Sequence, residues 1–360
     1  MNEIRALTGL RGLAALIVFW GHTREALASR GLEVEIPLLI ERLFLAGGRQ
    51  VDIFFVLSGF IMALIYRSWF TGGLSRTAYF QFLRRRVARI WPLHVFILLL
   101  VIATVVASQI AGLKTNHGTE RFDYATLPQH LLMVHAWGPF MDGPGAWNPP
   151  SWSVSIEWLA YFVFPFLIWG TARWSTRPWL PIIAMVVIGF ALNSQIFWGL
   201  SGIEGVTRGL SQFALGCLMA NLYGSRTAEW LQTRLGSTLA MLLLVVGFAL
   251  LPETGFIVGV LTAPLLLALC SDSNAPARFF GSKPMFFLGE ISYSIYLGHF
   301  LFTSIAYRLI SVEWMKTGVL EAVAGVLLIN AFVIGVSTLS YYFVEQPGRD
   351  LLSGRRKRVA

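Results

Sequence analysis

Ten apolar runs of about twenty residues recur along the chain, at about 6–23, 50–67, 88–110, 151–171, 179–198, 206–223, 237–251, 255–271, 285–309 and 318–343. A helix of that length matches the hydrocarbon thickness of a bilayer. Charged residues make up only 13% of the chain and hydrophobic ones 56%. Soluble domains carry about 25% charged residues, so this chain has too little charge to build a water-facing surface of its own. The expected fold class is therefore all-α, a polytopic membrane bundle of about ten transmembrane helices.

Loop charge sets the expected orientation. The net charge of +9 reflects Lys and Arg concentrated in alternate loops, which marks membrane topology rather than nucleic-acid binding. With the N-terminus inside, 18 of the 28 Lys and Arg fall on the cytosolic side and 8 on the other, while Arg11 and Arg208 lie within spans. Both termini are expected to be cytosolic. Residues 1–23 resemble a secretory signal, but Arg11 interrupts the apolar stretch and no small-residue cleavage site follows directly, so they read as a retained first helix. The domain plan is one transmembrane unit over 1–347 and a basic cytosolic tail over 348–360. The stretch 127–136 is too short to cross and reads as interfacial or re-entrant. The long outside loop, about 111–150, can help shape a site at the outer face. Cys217 and Cys270 sit in apolar runs and read as packed thiols, and no metal-ligand set is expected.

The ionisable residues inside the spans carry the functional signal, because each costs about 2.5–3.5 kcal/mol to insert. Arg11 and His22 are eleven residues apart, three helical turns plus about 20°, so they share a face about 16 Å apart along the axis. Asp52, at the outer edge of the second span, is either a helix-start carboxylate or a partner for His22. Arg85, Arg86 and Arg89 precede the third span and suit either a polyphosphate ligand or anionic lipid. In NPPSWSVSIEWLAYFVFP (148–165), two prolines break the chain, and Ser153, Glu157 and Tyr161 then recur on one face. Glu157, at about the depth of His22, needs a polar partner. The ninth span carries Glu290, Ser292, Tyr293, Ser294, Tyr296 and His299, too polar for lipid on all sides. Glu345 and Pro347 are expected to stop the tenth helix.

These segments resemble the membrane acyltransferase-3 family, the bacterial polysaccharide and lipid O-acyltransferases. The matching residues are LTGLRGLAALIVFWGH (7–22), VDIFFVLSGFIM (51–62), RRRVARIWPLH (84–94), SWSVSIEWLAYFVFP (151–165), ISYSIYLGH (291–299) and YYFVEQP (341–347), in the family's order and over nearly the whole chain. The resemblance implies a ten-helix fold in the bacterial inner membrane and transfer of an acyl group, commonly acetyl, from acyl-coenzyme A. It implies that His22 is the catalytic histidine, that Arg11 belongs to the same site, and that Arg85, Arg86 and Arg89 help hold the donor. Many members carry an appended extracytoplasmic esterase-like domain, which this chain is expected to lack.

The expected chemistry is attack of an acceptor hydroxyl, on a cell-surface glycan or lipid-linked sugar, on the thioester. His22 would act as general base, with Asp52 or Glu157 stabilising its imidazolium and Arg11 either stabilising the developing negative charge or holding the pantetheine arm; the alternative is an acyl-enzyme on a hydroxyl such as Ser153. Ser153, Tyr161, Tyr293 and His299 would line the substrate cavity. The expected partners are membrane lipid, the acceptor and, where the acceptor is not reached directly, a separate extracytoplasmic transferase; nucleic acid is not among them. The competing class is a secondary transporter of a small polar or anionic substrate. That class predicts inverted internal repeats, and none is evident.

Overall fold

The computed structural model describes residues 3–33, 37–112, 122–138, 147–174, 176–194, 202–251 and 255–354. The arginines and lysine at 355–358, and 113–121 and 139–146 of the long loop at about 111–150, lie outside these residues. Among the described residues all regular structure is helical. The principal helices are α1 (Arg5–Ala28), α2 (Gln50–Tyr66), α3 (Arg76–Ile110), α4 (Ser151–Thr171), α5 (Trp179–Ser194), α6 (Gly202–Met219), α7 (Arg234–Leu250), α8 (Gly255–Ala268), α9 (Lys283–Glu290), α10 (Ser292–Leu309), α11 (Val319–Ser340) and α12 (Gln346–Ser353).

Each of the ten apolar runs holds a helix, but not every helix qualifies as a span on length and apolarity alone. Four do: Gln50–Trp69, Arg76–Ile110, Ser151–Trp174 and Val319–Ser353. Two bent pairs bring the number to six when each is counted as one span. They are Arg226–Gln232 with α7, bent by 81°, and α9 with α10, bent by 64°. The apolar helices Trp179–Leu192 and Phe256–Ala268 are shorter. α1 is 24 residues long, but Arg5, Arg11, His22, Arg24 and Glu25 dilute its hydropathy. Large apolar side chains are exposed along α5, α7 and α11, including Ile183, Val187, Leu242, Leu320 and Leu327. Such surface suits lipid rather than water.

Two expectations change. The ninth segment is broken at Ile291 into α9 and α10. The tenth helix does not stop at Glu345 and Pro347. It passes through a π-helical turn, Tyr341–Glu345, directly into α12. The wider turn shifts the hydrogen-bond register, and Pro347 falls in the first turn of α12, where its missing N–H costs no bond. Glu345 is thereby carried inward and is 1% exposed.

Close helix contact positions the centre of the bundle. α2 and α6 cross at Gly59 and Gly216. A Cβ at Gly59 would come within 2.0 Å of the Phe213 carbonyl oxygen, and one at Gly216 within 1.9 Å of the Val56 oxygen. Backbone therefore lies on backbone, as small residues allow between membrane helices. The crossing is locked by Asp52 and Arg208, whose side chains are 0% and 8% exposed. Arg208 donates to both Asp52 carboxylate oxygens, at 2.8 and 3.0 Å, and to the Gly48 carbonyl at 2.9 Å.

The stretch 127–136 contains only a five-residue helix, Leu127–Leu131, followed by Met133 at φ 56°. It is held to α3 and α4 by imidazoles. His94 Nε2 bonds the His130 carbonyl at 2.7 Å, and His135 Nε2 lies 3.0 Å from Ser151 Oγ. The rings of His94, His130 and His135 stack nearly parallel.

Candidate active site

Residues from α1, α2, α3, α4 and α10 line a central cavity of about 120 Å³. Arg11, Arg86 and Arg89 bring three guanidinium groups to its wall, and Glu157 brings a carboxylate. Ser58 and Tyr161 each donate to Glu157 Oε1 at 2.6 Å. The polar partner that Glu157 required is thus a pair of hydroxyls. Arg89 forms an ion pair with the buried Glu345, whose other oxygen accepts from Ser294 Oγ at 3.0 Å. Arg86 donates to the Tyr66 hydroxyl at 2.9 Å and lies over the Tyr66 ring. Its buried Nε has no partner among the described residues. Arg11 donates to Ser292 Oγ and to the Gly289 carbonyl, both at 2.9 Å. It therefore satisfies a carbonyl next to the α9–α10 break, where the intrahelical partner is lost.

A wider chamber of about 530 Å³ meets this cavity at Arg11, Ile61 and Arg89 and adds Glu3, Thr8, Glu290 and Arg349. The buried Arg349 Nε is also unpartnered among the described residues. One end of the bundle thus carries a string of guanidinium groups running inward from α12 to α1. Guanidinium forks match phosphate oxygens bidentately.

His22 lies eleven residues further along α1 in a separate pocket of about 260 Å³, with Thr23, Glu25, His299 and Thr303. Its Nδ1 is 3.3 Å from Glu25 Oε2. A carboxylate only accepts, so in the neutral ring Nδ1 carries the proton and Nε2 keeps its lone pair. The His299 ring stacks on His22, with centroids 5.4 Å apart and planes 8° from parallel. His299 Nδ1 lies 2.6 Å from the Tyr296 carbonyl, and its Nε2 has no partner among the described residues. Tyr296 lines the central cavity, and its ring packs 6.2 Å from that of His299. It forms a wall between the arginine-lined cavity and the histidine pocket. The pocket opens into a cleft of about 550 Å³, which shares Ser29, Arg30, Phe300, Ser304 and Tyr307 with it and adds Thr104, Ser108, Phe122, Trp147 and Asn148.

The acyltransferase domain family matches residues 4–342. The chain belongs to the acyltransferase-3 family. It is similar to acyltransferase MdmB of Streptomyces mycarofaciens, 30% identical over 99% of this chain and 94% of that one. A Staphylococcus aureus protein named as an O-acetyltransferase is 23% identical over 97% of this chain and 58% of its own length. A Bacillus subtilis protein, YrhL, named as a peptidoglycan O-acetyltransferase, is 25% identical over 96% and 55%. The chain spans a little over half the length of these last two relatives. No solved structure matches it. The chain is an acyltransferase, a membrane enzyme of acyl transfer.

Within this acyltransferase the expected site residues divide into two groups. Arg11, Arg86, Arg89, Ser153, Glu157, Tyr161 and Tyr293 line the central cavity, and His22 and His299 line the separate pocket. Asp52 and Glu157 are not beside His22. Asp52 is drawn into the α2–α6 crossing by Arg208, and Glu157 is held by Ser58 and Tyr161. The carboxylate at His22 is Glu25, one turn along the same helix. Of the arginine cluster, Arg85 is exposed with its guanidinium 4.9 Å over Trp69, outside the cavity. Arg86 and Arg89, at i and i+3, face inward. Glu25 was legible as the i+3 neighbour of His22. Ser58, Arg349 and Thr303 had no local signal, because each is brought to the site by a helix remote in sequence.

Proposed function

We propose that this enzyme moves an acyl group, commonly acetyl, from cytosolic acyl-coenzyme A to a hydroxyl of a cell-surface glycan or lipid-linked sugar, in a bacterial inner membrane. Ten membrane segments with both termini in the cytosol put the arginine-lined chambers on the coenzyme side, in line with the Lys and Arg distribution. The observation that carries the reading is the arrangement along α1. Guanidinium groups gather at the Arg11 end, and an imidazole with a free Nε2 stands at the other.

Arg349, Arg89 and Arg86 would bind the phosphates, and the pantetheine arm would extend past Tyr296 toward His22, a path of about 16 Å along α1. His22 Nε2 takes the proton from the acceptor hydroxyl as its oxygen bonds to the thioester carbon. The C–S bond then breaks, and the imidazolium returns the proton to the departing thiolate, giving ester and coenzyme A. Glu25 holds Nδ1–H and stabilises the imidazolium, as the carboxylate does in a serine-hydrolase triad.

The test is mass spectrometry of surface glycans from cells carrying wild-type protein or His22→Ala, together with acetyl-coenzyme A binding to each purified protein. The expected result is loss of a two-carbon acyl increment with donor binding retained. Near-normal acylation by the variant would overturn the role of His22. A purified wild-type protein that binds no acyl-coenzyme A would overturn the donor assignment.

A further inference from the structure

Several helical threonines in this enzyme satisfy their hydroxyls by donating one turn back. Thr104 donates to the Leu100 carbonyl, Thr171 to Leu167, Thr262 to Val258 and Thr338 to Ile334. Thr23 and Thr303 depart from this pattern. Their Oγ1 atoms are buried and without a partner among the described residues, at residues only 5% and 7% exposed. Both line the His22 pocket, where the third unpartnered buried atom is His299 Nε2, on a residue 1% exposed. Three orphaned polar atoms around one imidazole form a binding surface, because buried polar groups are otherwise paired.

Their chemistry is specific. The two imidazoles are stacked, and Glu25 and the Tyr296 carbonyl occupy their Nδ1 atoms. Each neutral ring is left with an acceptor Nε2, and two threonine hydroxyls stand beside them as donors. One hydroxyl group can use one acceptor nitrogen. Two acceptor nitrogens on stacked rings call for two neighbouring hydroxyls. The adjoining cleft, lined by Thr104, Ser108, Phe122 and Asn148, mixes hydroxyls with an aromatic ring, and Asn148 Oδ1 is itself buried and without a partner among the described residues.

We propose that Thr23, Thr303 and His299 form the acceptor subsite and that it reads a vicinal diol on a sugar ring lying in the cleft. The reacting hydroxyl gives its proton to His22 Nε2. Its neighbour donates to His299 Nε2, and the threonine hydroxyls donate to the two oxygens. Thr23, Thr303 and His299 are positioning residues here. This inference rests on the proposed acyl transfer at His22 and adds the class of acceptor.

The experiment uses the full chain in lipid nanodiscs with radiolabelled acetyl-coenzyme A and two probe acceptors, octyl β-D-glucopyranoside and the single-hydroxyl 2-octyloxyethanol. Wild type is expected to acetylate the glucoside at least tenfold faster. His299→Leu should bring the ratio of the glucoside rate to the monol rate down to about one. Thr303→Val should raise the glucoside KM about tenfold with an unchanged donor KM, since a site built for a hydrogen bond loses about that much on its removal, and Thr303→Ser should restore it. Equal rates with both acceptors, or a Thr303→Val enzyme with wild-type glucoside KM, would overturn the subsite. Failure to acetylate the glucoside by protein that binds acetyl-coenzyme A would overturn the acceptor class alone. Failure to bind acetyl-coenzyme A would overturn the underlying acyl-transfer reading.

Discussion

The Asp52–Arg208 pair gives the sharpest separation between a catalytic and a structural carboxylate. Asp52→Asn keeps the side-chain shape and removes the charge, leaving the Arg208 cation buried with neutral partners only, the new amide and the Gly48 carbonyl. Both groups are within 8% of full burial, so solvent screening offers little relief. Removing one member of such a pair costs about 3–5 kcal/mol. At about 2 °C per kcal/mol for a chain of this size, the unfolding midpoint should fall by about 6–10 °C. Replacing both members with apolar residues of similar volume, Asp52→Leu with Arg208→Met, removes both desolvation costs and should return the midpoint to within about 2 °C of wild type. Thermal unfolding in detergent, followed by retention of the monodisperse peak, measures each midpoint, and acetyl transfer is assayed on the same samples. The double variant should be folded and active. An Asp52→Asn protein with an unchanged midpoint and no activity would refute the structural role and return Asp52 to the chemistry.

Three further outcomes follow from the site. Arg86→Gln should raise the acyl-coenzyme A KM by about tenfold, the worth of one charge-assisted hydrogen bond, whereas Arg85→Gln, outside the cavity, should change it by less than twofold in steady-state assays; equal effects would favour a lipid-anchor role for both. Glu25→Gln should lower kcat roughly tenfold, a fraction of the 10²–10⁴ that a general base supplies; an unchanged kcat would show that the His22 orientation does not depend on this bond. Burial holds His130 below the ordinary histidine range and His135 well below it. An unfolded histidine near 6.5 therefore gains its proton first as pH falls, and the unfolded state is favoured below that value. Protection factors over residues 122–138, the exchange rates corrected for the intrinsic pH dependence of amide exchange, should be lower at pH 5.5 than at pH 7.5, and identical protection would contradict the buried neutral imidazoles.

Local pattern reached far into the fold. Apolar length located every principal helix but α12, the two prolines before Ser151 marked the start of α4, and the i, i+4 spacing placed Ser153, Glu157 and Tyr161 on one face that does line the cavity. These properties belong to a single helix, and helical period is a local quantity. Apolar length overstated the case where polar residues break a segment, as at Ile291. Continuity also misled at Glu345, where a π turn let the helix run on through Pro347.

Pairing across helices was not legible. Depth along a span suggested His22 as the partner of Asp52 and Glu157, but depth says nothing of azimuth, and Arg208 and Ser58 hold them elsewhere. The sequence by itself determined that this chain lives in lipid, that it keeps charges there at a cost of about 2.5–3.5 kcal/mol each, and that Arg11 and His22 share one helix. Only the tertiary structure decided which buried charge neutralises which, that Arg86 rather than Arg85 faces inward, and that Thr23 and Thr303 meet at His22. The physical reason is that burial requires every polar group to find a partner, and the partner is chosen by packing between helices remote in sequence.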